Sequence, residues 1–230
     1  MAEVSQGIKA GAFEQGKIFA IGDIHGCIAN LQRLFERLPY VKNRDTLVFL
    51  GDYIDRGPSS KEVIEFILDL RDSGHNLVPL MGNHEYYLLK FANTNDDIFL
   101  AALREIGAEA TLESYGAKDM GKVAGLAFMP QDHKEFLNGL MPLWEKAGFI
   151  FVHGGLMPNI PLKDQTPPEI YEIREMFLSS DFNFGKFVVF GHTPFEMPLV
   201  TPTKIGIDTG AVYGNMLTAV ELPDIKFYHA

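Results

Sequence analysis

Five short apolar runs along the chain each end in a glycine and a polar residue. The runs cover 19–23, 47–52, 79–83, 150–154 and 188–192, and their polar residues are Asp23, Asp52, Asn83, His153 and His192. Apolar runs of this length predict buried strands, and residues that follow parallel strands meet at one edge of a sheet. Glycine beside each polar residue lets the backbone turn sharply and approach an ion closely. We therefore expect these five side chains to lie together at one rim.

Between the first three runs the apolar positions change to helical spacing. One helix is predicted from Ile28 until Pro39 ends the pattern. A second begins with the capping-box spacing of Ser59 and Glu62 and continues to Leu70, and a third follows the third run. Three consecutive strand-helix units predict partly parallel strands with helices outside them.

The second half of the chain predicts more antiparallel structure. Residues 96–115 predict a helix, and we interpret about 93–131 as a helical insertion beside the site. A hairpin is predicted around Ala147 and Gly148, and a helix over 169–178. Short strands are predicted at 187–189, 204–207, 216–222 and 225–228. The predicted fold is α/β (α+β), with two packed mixed β-sheets flanked by helices in a single domain over 1–230. Residues 1–15 of this domain are predicted to be a loose lead-in or a short edge strand.

Composition narrows the classes of function. The 230 residues are 47% hydrophobic, enough for a substantial core, and the formal charge of −10 disfavours nucleic acid and anionic membranes as partners. The single cysteine, Cys27, excludes an intramolecular disulfide, and we interpret it as a small apolar filler. The opening residues lack the basic flank and long apolar segment of a signal peptide, so we expect a cytoplasmic protein. His75, His133 and His229 lie outside any motif and are predicted to be surface residues.

The polar residues at the strand ends form a set suited to metal ions. Its carboxylates, amide and imidazoles come from Asp23, His25, Asp52, Asn83, His153 and His192. Such mixed oxygen and nitrogen ligands favour first-row divalent ions over calcium or structural zinc. Asp52 leaves its strand at the centre of the pattern and could offer one oxygen to each of two ions.

The motifs that carry these residues resemble those of the calcineurin-like metallophosphoesterases. They are Gly-Asp-Ile-His-Gly at 22–26, Gly-Asp-Tyr-Ile-Asp-Arg-Gly at 51–57, Gly-Asn-His-Glu at 82–85, His-Gly-Gly at 153–155 and Gly-His-Thr at 191–193. The Asp-Arg-Gly and Asn-His-Glu forms are similar to the phosphoprotein phosphatases, in particular the compact bacterial serine/threonine phosphatases. The resemblance extends from about Asp23 to Gly214.

This resemblance implies a role for each residue. It gives one ion the ligands Asp23, His25 and Asp52, and a second ion the ligands Asp52, Asn83, His153 and His192, with a bridging hydroxide as nucleophile. It makes His84 the general acid, oriented by Asp55, and we expect Asp55 to raise the pKa of His84. It assigns phosphate contacts to Arg56, Asn83 and Arg174. Gly210–Gly214 stands where the eukaryotic enzymes have Ser-Ala-Pro-Asn-Tyr-Cys, so Tyr213 is expected to line the site.

Charge supports a dianionic substrate independently of the resemblance. Two divalent ions held by only two carboxylates, Asp23 and Asp52, leave a positive site even with a hydroxide bound. Arg56 and Arg174 add to this charge and favour a phosphomonoester over a phosphodiester. Taken alone, Asp55 and Arg56 could be a structural ion pair and Arg174 a solvated helix residue.

The sequence therefore predicts a metal-dependent phosphomonoesterase, foremost a serine/threonine protein phosphatase acting on phosphorylated proteins or peptides. We expect manganese, with iron, zinc, nickel or magnesium as alternatives. A symmetrical diadenosine tetraphosphate hydrolase is the second hypothesis, because that family shares Gly-Asp-x-His-Gly-Cys, which Cys27 completes here. A third is a catalytically silent metal-binding adaptor for phosphoproteins. The oligomeric state, the native metal and the preference among phosphoserine, phosphotyrosine and dinucleotides stay open.

Overall fold

A computed structural model describes residues 16–118 and 120–230, so the predicted lead-in at 1–15 lies outside the described residues. Within them the strands are β1 (Ile18–Ile21), β2 (Thr46–Phe49), β3 (Asn76–Pro79), β4 (Leu143–Lys146), β5 (Phe149–Val152), β6 (Phe187–Phe190), β7 (Leu199–Val200), β8 (Lys204–Gly206), β9 (Thr218–Leu222) and β10 (Lys226–His229). The α-helices are α1 (Ile28–Arg37), α2 (Ser60–Asp72), α3 (Asn83–Thr94), α4 (Asp97–Ile106), α5 (Glu109–Ser114), α6 (Gln131–Asn138), α7 (Pro167–Glu172) and α8 (Glu175–Leu178). Short 3-10 helices cover Met120–Leu126, Leu162–Asp164 and Ala211–Tyr213.

The strands form two mixed sheets of five, as the sequence predicts. The first has the order β10-β9-β1-β2-β3, in which β1, β2 and β3 are parallel and β9 and β10 are antiparallel to their neighbours. The second has the order β4-β5-β6-β8-β7, in which β5, β6 and β8 are parallel and β4 and β7 are antiparallel. The predicted hairpin at Ala147 and Gly148 joins β4 and β5.

The two sheets pack face to face around an apolar layer. Alternate residues of β1 divide between its two faces: Ile18 and Ala20 belong to the layer between the sheets, whereas Phe19 and Ile21 pack with α1 and α2. The second sheet contributes Phe149 and other residues to the shared layer and carries a third apolar cluster on its outer face. Because both faces of the central strands are covered, these strands read as continuous apolar runs.

Three predicted helical features differ in the structure. The helix predicted over 96–115 is two helices, because the chain turns at Gly107, whose φ of 87° is left-handed. The helix predicted over 169–178 is also two short helices, with Arg174 between them. The capping box was wrong: Ser59 precedes α2, but its side chain makes no capping hydrogen bond.

The prediction that His133 is a surface residue was also wrong. It is buried, and its Nδ1 lies 2.6 Å from the hydroxyl of Tyr115. His75 and His229 are only partly exposed. Among the residues that the structure covers, no helix is both long and apolar enough to cross a bilayer.

Candidate metal and phosphate site

Asp52 lies just past the end of β2 with its backbone in a left-handed conformation, at φ 52°. Four other residues of the same rim have positive φ values: His25, Asp55, Arg56 and His192. This conformation is uncommon for residues other than glycine, and such strained positions cluster at functional sites. The surrounding structure must therefore hold the loops in place.

The Glu85 carboxylate provides much of that support for the Asp52 loop. Oε2 accepts hydrogen bonds from the backbone N–H groups of Asp52 (3.0 Å) and Gly82 (3.1 Å), and Oε1 accepts them from Tyr53 (2.8 Å) and Ile54 (3.3 Å). Gly82 must be small, because a Cβ there would lie 2.1 Å from Asp52 Oδ1. One buried carboxylate thus fixes the turn that carries Asp52.

Ligand atoms converge on Asp52 from two sides. Asp52, His25 and His84 offer three atoms within 4.8 Å of one another, and Asp52, His153 and His192 offer another such group. Oδ2 of Asp52 is 3.3 Å from His25 Nε2, and Oδ1 is 3.4 Å from His153 Nε2. Asp52 is the residue common to both groups, and each of its oxygens faces one side.

The imidazole tautomers show that these atoms suit cations. His25 Nδ1 donates to the carbonyl of Ile54 (2.8 Å) and His153 Nδ1 donates to that of Leu50 (2.9 Å), because a carbonyl can only accept. In the neutral ring each Nε2 then presents a lone pair. His153 Nε2 lies 3.0 Å from Asn83 Oδ1, so two acceptors face each other. A cation shared between them would remove this repulsion, and the residues present fit a metal ion.

The structure places Asp23 differently from the other predicted ligands. It belongs to neither group above, and both of its oxygens accept the backbone N–H of His192, at 3.1 and 3.0 Å. Gly191 allows this contact, since a Cβ there would lie 2.1 Å from Asp23 Oδ1. Asp23 thereby ties the loop after β1 to the loop after β6.

Burial is the main influence on the pKa values of the predicted metal ligands. It is the main cause that raises the pKa values of Asp23 and Asp52 well above their ordinary range. It also lowers the pKa of His25 well below the ordinary value, that of His153 to about 3, and that of His192 strongly. Without a bound ion, both shifts favour the uncharged forms of these side chains. A bound cation would reverse the cost of the carboxylate charges, which is what a metal site requires.

His84 and Asp55 form a buried pair beside Asp52. His84 Nδ1 is 2.8 Å from Asp55 Oδ2, and both side chains are fully buried. His84 Nε2 points towards Asp52 Oδ2, at 3.8 Å, and has no hydrogen-bond partner within the described ranges. We expected Asp55 to raise the pKa of His84. Instead, burial with Arg56 and Arg174 lowers the pKa of His84 well below its usual value, while burial raises that of Asp55 to about 7.

The two predicted phosphate arginines are both exposed. Arg56 Nη1 donates to His25 Nε2 (2.8 Å), and the guanidinium carbon lies 5.6 Å from the centre of the Tyr213 ring. Arg174 precedes the first residue of α8 and lines a groove of about 480 Å³. Its charge lowers the pKa values of His84, His153 and His192. Both arginines can therefore act on an anion at the centre.

Sequence reasoning missed three buried residues of the site. Glu85 was recognised only as part of a motif, and Thr111, which donates to Asp55, lies in a segment without ligand motifs. Asp208 adds, after burial, to the rise in the pKa of Asp23, so a further buried aspartate lies close to the predicted ligands. The Ile-Asp-Thr-Gly sequence at 207–210, a strand end followed by aspartate and glycine, was the available signal for Asp208. Cys27 is partly buried and burial raises its pKa, consistent with an inert filler.

Comparisons with known proteins agree with this geometry. The family model described as calcineurin-like phosphoesterase matches residues 16–212. A Bacillus subtilis (strain 168) protein, the bis(5'-nucleosyl)-tetraphosphatase PrpE [asymmetrical], is 32% identical over 90% of this chain and 91% of its own. The crystal structure of a candidate diadenosine tetraphosphatase matches with a TM-score of 0.71 and 25% identity, over 94% of each chain. A mutant cold-active protein tyrosine phosphatase shares the fold, with a TM-score of 0.62 and 17% identity over 99% of this chain and 81% of its own.

Proposed function

This chain belongs to the calcineurin-like phosphoesterase family, and from that premise we propose that it is a bis(5'-nucleosyl)-tetraphosphatase of the asymmetrical type. The observation that carries the proposal is the near full-length similarity to a relative of that name, which includes both halves of the site. This reverses the order of the hypotheses drawn from sequence, where a serine/threonine protein phosphatase came first. It also changes the second hypothesis from symmetrical to asymmetrical cleavage.

The proposed metal ligands are those of the sequence analysis. One ion would be held by Asp23, His25 and Asp52, and a second by Asp52, Asn83, His153 and His192; manganese is the proposed metal. The two groups that converge on Asp52 support the roles of His25, Asp52, His153 and His192. Asp23 lies in neither group, and its role rests on the resemblance of its motif. When bound, such ions supply Lewis acidity and lower the pKa of water enough to make a nucleophile near neutral pH.

The chain's own residues bind and orient the substrate. Arg56 and Arg174, with the Asn83 amide, are the proposed phosphate contacts, and the guanidinium groups match phosphate oxygens in geometry and charge.

The surroundings suggest where a polyphosphate chain would leave the centre. The groove beside Arg174 also carries Glu169, Glu172 and Glu175, which repel further phosphate groups. Arg56 and Tyr213, which is 65% exposed, do not line this groove. A flat exposed ring beside a guanidinium can stack on a base and hold a phosphate together. We place the nucleoside on the Tyr213 side.

Hydrolysis of phosphoproteins is the second candidate, and one observation favours it. His84, paired with Asp55, directs its Nε2 towards Asp52, which is where a general acid would meet a leaving group. The alkoxide of serine needs a proton, whereas a nucleotide leaving through its phosphate needs it less. The pair therefore matters more for the hydrolysis of phosphomonoesters than for that of dinucleotides.

A substrate panel at one manganese concentration separates the candidates. We expect kcat/KM for diadenosine tetraphosphate to exceed the values for phosphoserine and phosphotyrosine peptides. A preference for either peptide would replace the main proposal with the second candidate. Inactivity on every substrate, with metal content and folding intact, would instead support the silent adaptor.

A further inference from the structure

The α4 and α5 segment makes hydrogen bonds to the turn that carries Asp55 and Arg56. The backbone N–H of Arg56 donates to the carbonyl of Gly107 (3.1 Å), at the break between the two helices. The backbone N–H of Asp55 donates to Thr111 Oγ1 (2.9 Å) and to Ser60 Oγ (3.1 Å). The predicted insertion is therefore joined directly to the turn that carries two residues of the site.

The hydroxyl of Thr111 continues this contact into the Asp55 side chain. It donates to Asp55 Oδ1, while the other oxygen, Oδ2, faces His84 Nδ1. Ser60 Oγ is 3.0 Å from Thr111 Oγ1. Since the single proton of Thr111 goes to Asp55, Ser60 must donate to Thr111. The result is one directed chain from Ser60 through Thr111 and Asp55 to His84.

The four side chains linked by these hydrogen bonds are all buried, each at most 1% exposed. Water therefore cannot replace a lost member easily, and a carboxylate oxygen left without its donor would turn towards another partner. The backbone of Asp55 is left-handed, at φ 70°, so the turn does not hold its conformation by propensity alone. The Thr111 hydroxyl is the group that fixes the plane of the carboxylate against His84.

We propose that Thr111 is a positioning residue for phosphoester hydrolysis: its hydroxyl orients Asp55 and, through Asp55, the His84 imidazole. This inference rests on the proposed hydrolytic function, and it gives the α4 and α5 segment a role in the reaction. A residue that only packs the segment against the fold would serve equally well as valine, which has nearly the same shape but no hydroxyl.

The test compares Thr111→Val with Thr111→Ser, which restores the hydroxyl. Ser114→Ala is the matched control: it removes a hydroxyl from the same helix, where Ser114 bonds to the Thr111 carbonyl and the Lys61 N–H but not to Asp55. Each variant is assayed on nitrophenyl phosphate and on an alkyl phosphate, whose leaving group requires a proton. Thermal unfolding is measured in parallel.

We expect Thr111→Val to lower kcat on the alkyl phosphate by about tenfold or more, part of the roughly 100- to 10,000-fold that a general acid supplies. Its kcat on nitrophenyl phosphate should change by less than about threefold, and both KM values should stay nearly constant, because no phosphate contact is lost. Thr111→Ser and Ser114→Ala should behave like the unmodified protein. Equal slowing on both substrates, or a serine variant as impaired as the valine variant, would overturn the inference.

A second measurement does not depend on turnover. With ¹⁵N-labelled histidine, the Nδ1 proton of His84 should give a low-field resonance that shifts in Ser60→Ala and is kept in Thr111→Ser. A resonance unchanged by Ser60→Ala and by Thr111→Val would refute the chain. If the unmodified protein hydrolyses no phosphate ester but the resonance responds as expected, the proposed function fails, whereas the orientation of Asp55 and His84 by Thr111 stands.

Discussion

Glu85→Gln tests whether one carboxylate holds the Asp52 loop. Gln retains one oxygen but replaces the other with an NH₂ group, which would face backbone N–H donors. At least two buried donors lose their acceptor, those of Asp52 and Gly82 if the amide takes the position of Oε2. At about 1–3 kcal/mol for each unsatisfied buried group, the expected loss is roughly 2–6 kcal/mol.

Chemical denaturation in chelator measures this loss directly. Burial, followed by the charge of Asp55, raises the pKa of Glu85 to about 7, so the comparison is made at about pH 8.5, where the carboxylate is ionised. For a chain of this size each kcal/mol lowers Tm by about 2–4 °C, so the expected loss of stability lowers Tm by roughly 4–24 °C. Glu36→Gln, on the exposed face of α1, is the control and should change stability by less than about 0.5 kcal/mol. A Glu85→Gln protein as stable as the control would refute this view of the loop.

Four further predictions concern metal, anion and base binding. In chelator, the free energy of unfolding should decrease as pH rises through the raised pKa values of Asp23 and Asp52, because burial disfavours their ionised forms. Manganese at about 1,000 times its Kd should restore about 4 kcal/mol. A Tm that changes with neither pH nor manganese would contradict this. Asp52→Asn should reduce bound metal, measured by mass spectrometry, by at least about half, because the residue faces both groups; full metal content with normal turnover would exclude a bridge. Arg56→Ala and Arg174→Ala should each lower kcat/KM by about 10- to 1000-fold, or about 1.4–4 kcal/mol, with metal content unchanged, and inhibition by phosphate should weaken in parallel. Tyr213→Ala should raise KM for diadenosine tetraphosphate by about tenfold, since stacking on a base is worth about 1–3 kcal/mol. KM for nitrophenyl phosphate should change little. Equal changes in both KM values would mean that the nucleoside does not stack on Tyr213.

The sequence predicted the strands and the rim well because local pattern and burial agree there. The strands that carry Asp23, Asp52 and His153 are apolar on both faces, and a strand buried on both sides has few other places to lie. The positions of the ligands then follow from chain direction. Two sheets flanked by helices could thus be predicted without long-range information.

The supporting contacts could not be predicted in the same way. Thr111 and Ser60 are 51 positions apart, and their meeting depends on how α5 packs against α2. The break at Arg174 was missed because the apolar spacing continues across it, although the chain leaves the helical conformation there. Asp208 was missed because a single aspartate after a short strand is a common turn signal. Such contacts are set by tertiary packing.

The products formed from diadenosine tetraphosphate test the central claim most directly. The purified protein is incubated with this dinucleotide and manganese, and the nucleotides are separated by anion-exchange chromatography, with Asp52→Asn as the control for contaminating activity. Asymmetrical hydrolysis by this protein predicts ATP and AMP in equal amounts at early times and almost no product from the variant. ADP as the early product, or no loss of the dinucleotide under conditions where nitrophenyl phosphate is hydrolysed, would contradict the proposed function.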